Sequence, residues 1–315
     1  MISRTIETGL LKKEKAMDKT NKLVFWGFLF PALFAFTMVL IVPFLMGLYY
    51  SLTDWSAIAG EPVHFVGLAN YGGMFRDVQF LYSFGLTFVF AALSILFINF
   101  IALVLAILVT RKLPLKNFFR VGFFIPNLIG GLVLGFIWQF IYKSIVPEIG
   151  ELLGWQSLED LLILADANLA LLGVIVAYTW QYAGYIMMIY IAALLNVPQE
   201  LVEACDLDGA GFLQKFRHIT FPLIAQAFTI ASFLTLVSSF KQFDILIALS
   251  AGGPTTQFQG QTINSTELLA LNIYDVAFKY NQMGQGQARA VIFFVILMAI
   301  SLIQVQYNKK REVEM

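Results

Sequence analysis

Charged side chains are scarce in this chain of 315 residues. Asp, Glu, Lys and Arg together make up 13% of it, against about 25% in typical soluble domains. Hydrophobic residues account for 59%. A soluble protein cannot cover its surface with so few charges, so the composition predicts a membrane protein. The formal net charge is zero, and nucleic acid is therefore not an expected partner.

Cysteine, histidine and the motifs of catalysis are equally scarce. Cys205 is the single cysteine, which excludes an intrachain disulfide and a thiol metal cluster. The two histidines, His64 and His218, fall in different loops. Neither the HExxH motif nor the GxxxxGK[ST] phosphate loop is present. We therefore expect no metal site, no cofactor bound by this chain and no catalytic activity of its own.

Six apolar segments are long enough to cross a bilayer, which takes about 20 residues of helix. We predict spans at about 24–50, 81–110, 119–142, 168–195, 220–241 and 288–307. A seventh uncharged stretch, 245–266, is rejected because its polar, Gly-rich second half cannot satisfy its own backbone in lipid. The prediction is an all-α integral membrane protein, with a six-span domain at 23–308 between tails at 1–22 and 309–315.

Lys and Arg lie mainly on one side of these predicted spans. Fifteen fall on the side that holds both tails and the loop 198–222, and five fall on the other side. Because positive charge favours the cytoplasmic side, both termini and this loop are predicted to be cytoplasmic. The outer stretch 146–167 is predicted to contain a short surface helix, and the long outer loop a helical patch near 265–280.

The loop 198–222 has more structure than a simple connector needs. Pro198 suits a first helical position, and Glu200 and Glu203 favour the start of a helix dipole. Gly209 can end that helix through a left-handed turn. A second short helix would then lead to Pro222, at the base of the fifth span. The pattern predicts a two-helix elbow that contacts another protein, with a plain connecting turn as the alternative.

The residues of this elbow resemble a family motif: Glu-Ala-Ala, three residues, Gly, nine residues, Ile, one residue, Leu-Pro. The motif is typical of permease subunits of bacterial binding-protein-dependent ABC importers. Cys205 replaces the second Ala, and Phe221 replaces the Leu. The resemblance implies that the elbow couples the spans to an ATPase subunit through the following residues: Glu203, Ala204, Asp208, Gly209, Ile219 and Pro222.

Other segments resemble this family in the family's order: 43–55, 67–71 and 120–138. Three later segments resemble the outer-loop signature of its carbohydrate permeases: 250–254, 265–266 and 273–274. The chain is similar to the larger subunit of the maltose permease without its extra N-terminal spans. The resemblance implies a type I importer fold in the bacterial cytoplasmic membrane. The implied partners are a second, unlike permease, an extracytoplasmic sugar-binding protein and two copies of a cytoplasmic ATPase that holds ATP and Mg.

Two polar stripes at helical spacing are candidates for a sugar path. They are Tyr178, Gln181, Tyr182 and Tyr185 in the fourth predicted span, and Thr235, Ser238, Ser239 and Gln242 in the fifth. Polar groups at lipid depth contact protein or water, and by resemblance these positions line a midmembrane sugar site. Ordinary helix packing is the alternative, because Ser and Thr commonly join membrane helices.

Three further features of the spans are interpreted as packing elements. Asn99 and Gln139 are predicted to form interhelical hydrogen bonds, and the GxxxG pair Gly131 and Gly135 is predicted to allow close helix contact. The span centres lack Asp, Glu, Lys and Arg. This absence disfavours the alternative function, an ion-coupled secondary transporter or a channel for a small polar solute.

Overall fold

A computed structural model describes residues 22, 24–111 and 114–309. Apart from their inner ends, the predicted tails 1–22 and 309–315 lie outside the described residues.

Helices make up most of the described chain. The long ones are Val24–Tyr50, Val78–Thr110, Lys116–Leu128, Gly131–Leu153, Ala167–Leu195, Ala225–Phe240 and Met283–Lys309. The short ones are Ala69–Met74, Gln156–Glu159, Gln199–Leu207, Phe212–Leu223, Asp244–Leu249 and Leu269–Tyr274, the last of which continues as a π-helix over Asp275–Lys279. An antiparallel hairpin pairs Thr255–Phe258 with Gln261–Asn264.

Five helices are individually long and apolar enough to cross a membrane. A sixth crossing is completed when Phe212–Leu223 and Ala225–Phe240, bent by 71° between them, count as one span. The all-α, six-span prediction is therefore confirmed. We number these spans 1 to 6 in chain order, and span 3 is the helix Gly131–Leu153.

The predicted third span, 119–142, coincides with two helices rather than one. The helix Lys116–Leu128 carries Pro126 in its last turn and ends at Leu128. The next two residues leave the helical conformation, since ψ is 128° at Ile129 and 138° at Gly130. A new helix then begins at Gly131 and continues to Leu153. The proline lacks the N–H group that would continue the ladder of helical hydrogen bonds.

Spans 2 and 4 form the centre of the molecule. Phe90 and Ile98 of span 2 are fully buried, as are Tyr178 and Ile186 of span 4. Span 1 lies at the periphery, where it packs on span 6, and no residue in the most apolar part of it is buried. Such a surface suits contact with lipid or with another membrane protein.

The connections define two ends of the bundle. The elbow, residues 196–224, includes Phe212–Leu223, the first helix of the bent pair, and connects span 4 to Ala225–Phe240, the longer helix of span 5. We call this end of the bundle the elbow end. Residues 241–282 join spans 5 and 6 at the other, the hairpin end. Span 2 ends at the elbow, because the Arg111 guanidinium lies 5.1 Å from the centre of the Phe212 ring.

Side chains of loop motifs stabilise the hairpin end by donating hydrogen bonds to main-chain carbonyls. The Thr266 hydroxyl donates to the Gly253 carbonyl at 2.6 Å, so two of the segments that resemble carbohydrate permeases bind each other. The Asn70 amide donates to the carbonyls of Ser51 and Thr53 at 2.9 and 2.8 Å. These motif residues hold loops in place.

The GxxxG pair permits close helix contact, as predicted. A Cβ atom added at Gly131 would lie 2.6 Å from Cβ of Asp244, and one added at Gly135 would lie 2.6 Å from Cβ of Ala248. The short helix Asp244–Leu249 therefore packs directly on the backbone of span 3.

Candidate functional sites

The elbow begins with the helix Gln199–Leu207, which a left-handed glycine ends. Gly209 has φ = +74°, and its N–H donates to the Asp206 carbonyl at 3.1 Å. The N–H of Ala210 donates to the Cys205 carbonyl at 2.9 Å. This pair of bonds is a Schellman motif, which satisfies carbonyls at the helix end. A side chain at Gly209 would be strained because of the positive φ.

The second helix of the elbow, Phe212–Leu223, is joined to the first by an ion pair between Lys215 and Asp206. It bends by 71° into Ala225–Phe240. The two elbow helices are therefore linked to each other, and the chain continues from them into span 4 on one side and span 5 on the other. A force on the elbow would reach both spans.

The predicted coupling residues form part of an exposed surface. Glu203, Ala204, Asp208 and Gly209 are exposed, whereas Ile219 and Pro222 are half-buried. The Gln199 amide donates to one Glu203 carboxylate oxygen at 2.7 Å. Large apolar side chains on the same two helices are also exposed: Leu207 at 91%, Leu213 at 73% and Phe212 at 55%. An apolar patch rimmed by carboxylates is typical of a protein interaction site.

Burial separates the eight residues of the predicted sugar path into two sets. Buried are Tyr178, Gln181, Thr235, Ser239 and Gln242, and half-buried are Tyr182, Tyr185 and Ser238. The structure brings the stripes together at one point, where the hydroxyls of Ser239 and Tyr178 lie 3.5 Å apart. Only the half-buried set is accessible to a solute or a partner subunit.

The hydroxyls of span 5 bond mainly within their own helix. Thr235 donates to the Ala231 carbonyl at 2.8 Å, and Ser239 donates to the Thr235 carbonyl at 2.7 Å. Gln181 of span 4 donates to the Ile129 carbonyl at 3.1 Å, at the break before span 3. These bonds assign a packing role to Thr235, Ser239 and Gln181, and the part of the buried set in a sugar path stays a prediction.

Replacing Tyr185 by Ala is expected to reduce sugar import without a large loss of thermal stability, because Tyr185 is half-buried. Tyr178→Ala is the matched control. Its ring is fully buried, and removal of a buried aromatic ring costs about 3–5 kcal/mol. Tyr185→Ala should therefore change the import kinetics of the assembled transporter more than its melting temperature, whereas Tyr178→Ala should mainly lower the melting temperature. An unchanged import rate and apparent affinity in Tyr185→Ala would remove Tyr185 from the path.

Asn99 and Gln139 form interhelical bonds, as predicted. The Tyr190 hydroxyl of span 4 donates to the Asn99 side-chain oxygen at 2.8 Å. The Gln139 amide donates to the carbonyls of Ala248 and Leu249 at 3.3 and 3.0 Å. Both residues hold elements together within the subunit.

A polar pocket at the hairpin end is absent from the sequence-based predictions. We define it by Asp77, Gln79, Asn264, Glu267, Asn272 and Arg289, with Thr262, Tyr280, Gln282 and Gln285 also lining it. Its volume is about 370 Å³. The residues come from the start of span 2, the hairpin, the region after it and the start of span 6. The one signal in the sequence is Arg289, a charge at the edge of an apolar run.

Three side chains at the centre of the polar pocket are joined by hydrogen bonds. Arg289 donates to the Asn272 side-chain oxygen at 2.5 Å and forms an ion pair with Asp77. Glu267 accepts from the side-chain amides of Asn272 and Asn264 at 2.7 and 2.6 Å. Burial raises the pKa of the Glu267 carboxyl above its ordinary value, and the two amide donors oppose that rise.

The chain is similar to known transport proteins over most of its length. The model of the family described as "Binding-protein-dependent transport system inner membrane component" matches residues 98–313. The chain is 44% identical over 308 residues to the "Probable starch degradation products transport system permease protein" of Thermoanaerobacterium thermosulfurigenes, covering 96% of this chain and 99% of that one. It is 31% identical to the "Multiple sugar-binding transport system permease protein" of Streptococcus mutans, covering 93% and 98%.

Solved structures show the same fold. A chain in the crystal structure of a bacterial ABC transporter involved in the import of the acidic polysaccharide alginate aligns with a TM-score of 0.79. The alignment covers 93% of this chain and 97% of that chain at 18% identity, so it shows the fold alone. The expected importer permease fold is thus confirmed, and because the family model covers more than half of the sequence, the chain belongs to the family of binding-protein-dependent transport system inner membrane components.

Proposed function

We propose that this chain is the transmembrane subunit of an ATP-driven importer for a sugar or oligosaccharide. The observation that carries the proposal is the elbow. Its motif residues Glu203 and Gly209 lie on an exposed surface, and its two ion-paired helices continue directly into spans 4 and 5. An ATPase seated on this surface would transmit its closure to the spans that carry the predicted path.

The proposed substrate class rests on the names of relatives and on the half-buried side chains of the path. Two relatives are described by starch degradation products and by multiple sugars. Tyr182 and Tyr185 offer partly exposed aromatic rings, and Ser238 offers a hydroxyl. Flat rings and hydroxyl groups suit contact with pyranose sugars. Oligosaccharides released from starch are therefore the first substrates to test.

The proposed assembly contains a second, unlike permease, two ATPase subunits that bind ATP and Mg, and an extracytoplasmic sugar-binding protein. In this arrangement the elbow end and both termini are cytoplasmic, and the hairpin end faces outward. The excess of Lys and Arg on the elbow side supports that orientation. The exposed surface of span 1 supports contact with lipid or with the second permease.

The energy source decides between this function and an ion-coupled carrier. The test uses the transporter reconstituted in vesicles with its binding protein and a panel of maltose, maltotriose and longer oligomers. We expect import to stop when ATP is depleted and to continue when an uncoupler collapses the ion gradients. We also expect an ATPase to co-purify with the chain. Import that survives ATP depletion but not the uncoupler would contradict the proposal.

A further inference from the structure

The polar pocket at the hairpin end contains a buried cation with spare hydrogen-bonding capacity. Arg289 is 3% exposed, and its guanidinium lies 5.3 Å from the centre of the Phe80 ring. Its two terminal nitrogens bond Asn272 and Asp77, yet its Nε–H has no partner. An unsatisfied buried donor is costly. The internal network therefore leaves the Nε–H unsatisfied beneath the floor of the pocket, while the terminal nitrogens hold Asn272 and Asp77 in place.

Two side chains at the edge of the pocket have no role in that network. Gln282 and Gln285 line the pocket and are exposed. Within the part of the chain that the structure describes, neither side-chain amide takes part in a hydrogen bond. Tyr280, 56% exposed, adds an aromatic ring beside them. The pocket thus combines a buried, hydrogen-bonded polar floor with exposed amides and an aromatic ring that can contact a ligand.

The charges around the pocket do not favour an anionic ligand. Asp77, Glu267 and Asp275 face two cations, Arg289 and Lys279, and the second cation lies 3.5 Å from Asp275. With Glu267 ionised the group is net negative, and with Glu267 protonated it is neutral. In neither state is it positive, so Coulomb attraction gives no advantage to a phosphate, sulfonate or uronate.

We propose that the polar pocket is a binding subsite for an uncharged, hydroxyl-rich sugar ring at the mouth of the permease. The inference rests on the proposed function and adds a second site to the predicted midmembrane path. Sugar hydroxyls both donate and accept, so the amides and carboxylates that line the pocket can bond them together. The volume of about 370 Å³ lies at the small end of ligand pockets, which suits one terminal ring.

Cysteine protection provides a direct test on the assembled transporter, without the binding protein. In a Cys205→Ser background, Gln285→Cys is labelled with a membrane-impermeant maleimide, and the label is read on this subunit. Maltotriose is the probe, and glucose 6-phosphate is its anionic counterpart. Gln259→Cys, at the exposed hairpin turn outside the pocket, is the matched control. Gln282→Cys is a second labelling position if Gln285→Cys assembles poorly.

We expect maltotriose to slow labelling at position 285 about tenfold at ten times its Kd, and to leave position 259 unaffected. Equal labelling with and without maltotriose, in a complex that still imports this sugar with its binding protein, would overturn the pocket and leave the proposed function intact. Loss of both protection and import would overturn both. Equal or stronger protection by glucose 6-phosphate would overturn the selection for uncharged rings.

Discussion

Glu203→Ala is expected to remove most of the sugar-stimulated ATP hydrolysis of the assembled transporter. In this chain the Glu203 carboxylate is exposed, and one oxygen is held by Gln199 at 2.7 Å. An Arg of the ATPase would complete a charge-assisted pair there. Truncating one partner of such a pair at a buried interface costs about 2–5 kcal/mol, which is more than tenfold in affinity. The measurement is the ATPase rate with and without binding protein and sugar.

Glu200→Ala is the matched control, because Glu200 lies on the same helix, is also exposed and is the same residue type. It stands outside the family motif and should leave stimulation near the level of the natural protein. Glu203→Gln separates charge from shape, since it keeps a polar group of the same size. We expect it to fall between Glu203→Ala and the natural protein. Equal stimulation of ATP hydrolysis in Glu203→Ala and Glu200→Ala would show that the Glu203 carboxylate does not contact the ATPase subunit.

Hydropathy predicts the six-span architecture well because a long apolar run is stable as a helix that is either buried in the protein or exposed to lipid. It fails at the break in the predicted span 119–142. No charge interrupts that run, so a hydropathy window cannot detect the end of a helix at Leu128. The local signal was Pro126 followed by Gly130, which allows a kink as readily as a complete break. The amide of Gln181, from another helix, bonds the carbonyl of Ile129 at this break.

The candidate sites were predictable to different degrees. The elbow is a local structure, and Gly209 marks its turn in the sequence, because glycine readily adopts the left-handed conformation that ends a helix. The polar stripes of spans 4 and 5 follow from helical periodicity, but periodicity does not say which neighbour covers a face. Periodicity therefore places Tyr178 and Tyr185 on the same stripe and does not distinguish their burial, although only Tyr178 is fully buried. The polar pocket depends on residues as distant in sequence as Asp77 and Arg289, so only the folded chain reveals it.

Gly184→Ala is expected to lower the melting temperature of the assembled transporter sharply. A Cβ atom at this position would overlap the carbonyl oxygen of Phe123, in the helix Lys116–Leu128. A main-chain oxygen cannot rotate away as a side chain can, so that helix would have to move from span 4. The movement would also stretch the bond between Gln181 and Ile129. Overpacking of this kind costs about 1–3 kcal/mol, and sometimes more.

The opposing effect is helix propensity, because Ala favours a helix over Gly by about 1 kcal/mol. Gly85→Ala isolates that gain. Gly85 lies within span 2, is exposed, and has nothing within 4 Å of an added Cβ atom. We expect its melting temperature to stay level or rise slightly while that of Gly184→Ala falls, as measured by heating detergent-solubilised complexes before size-exclusion chromatography. A higher melting temperature in both variants would mean that the gain in helix propensity exceeds the free-energy cost of moving the helix Lys116–Leu128.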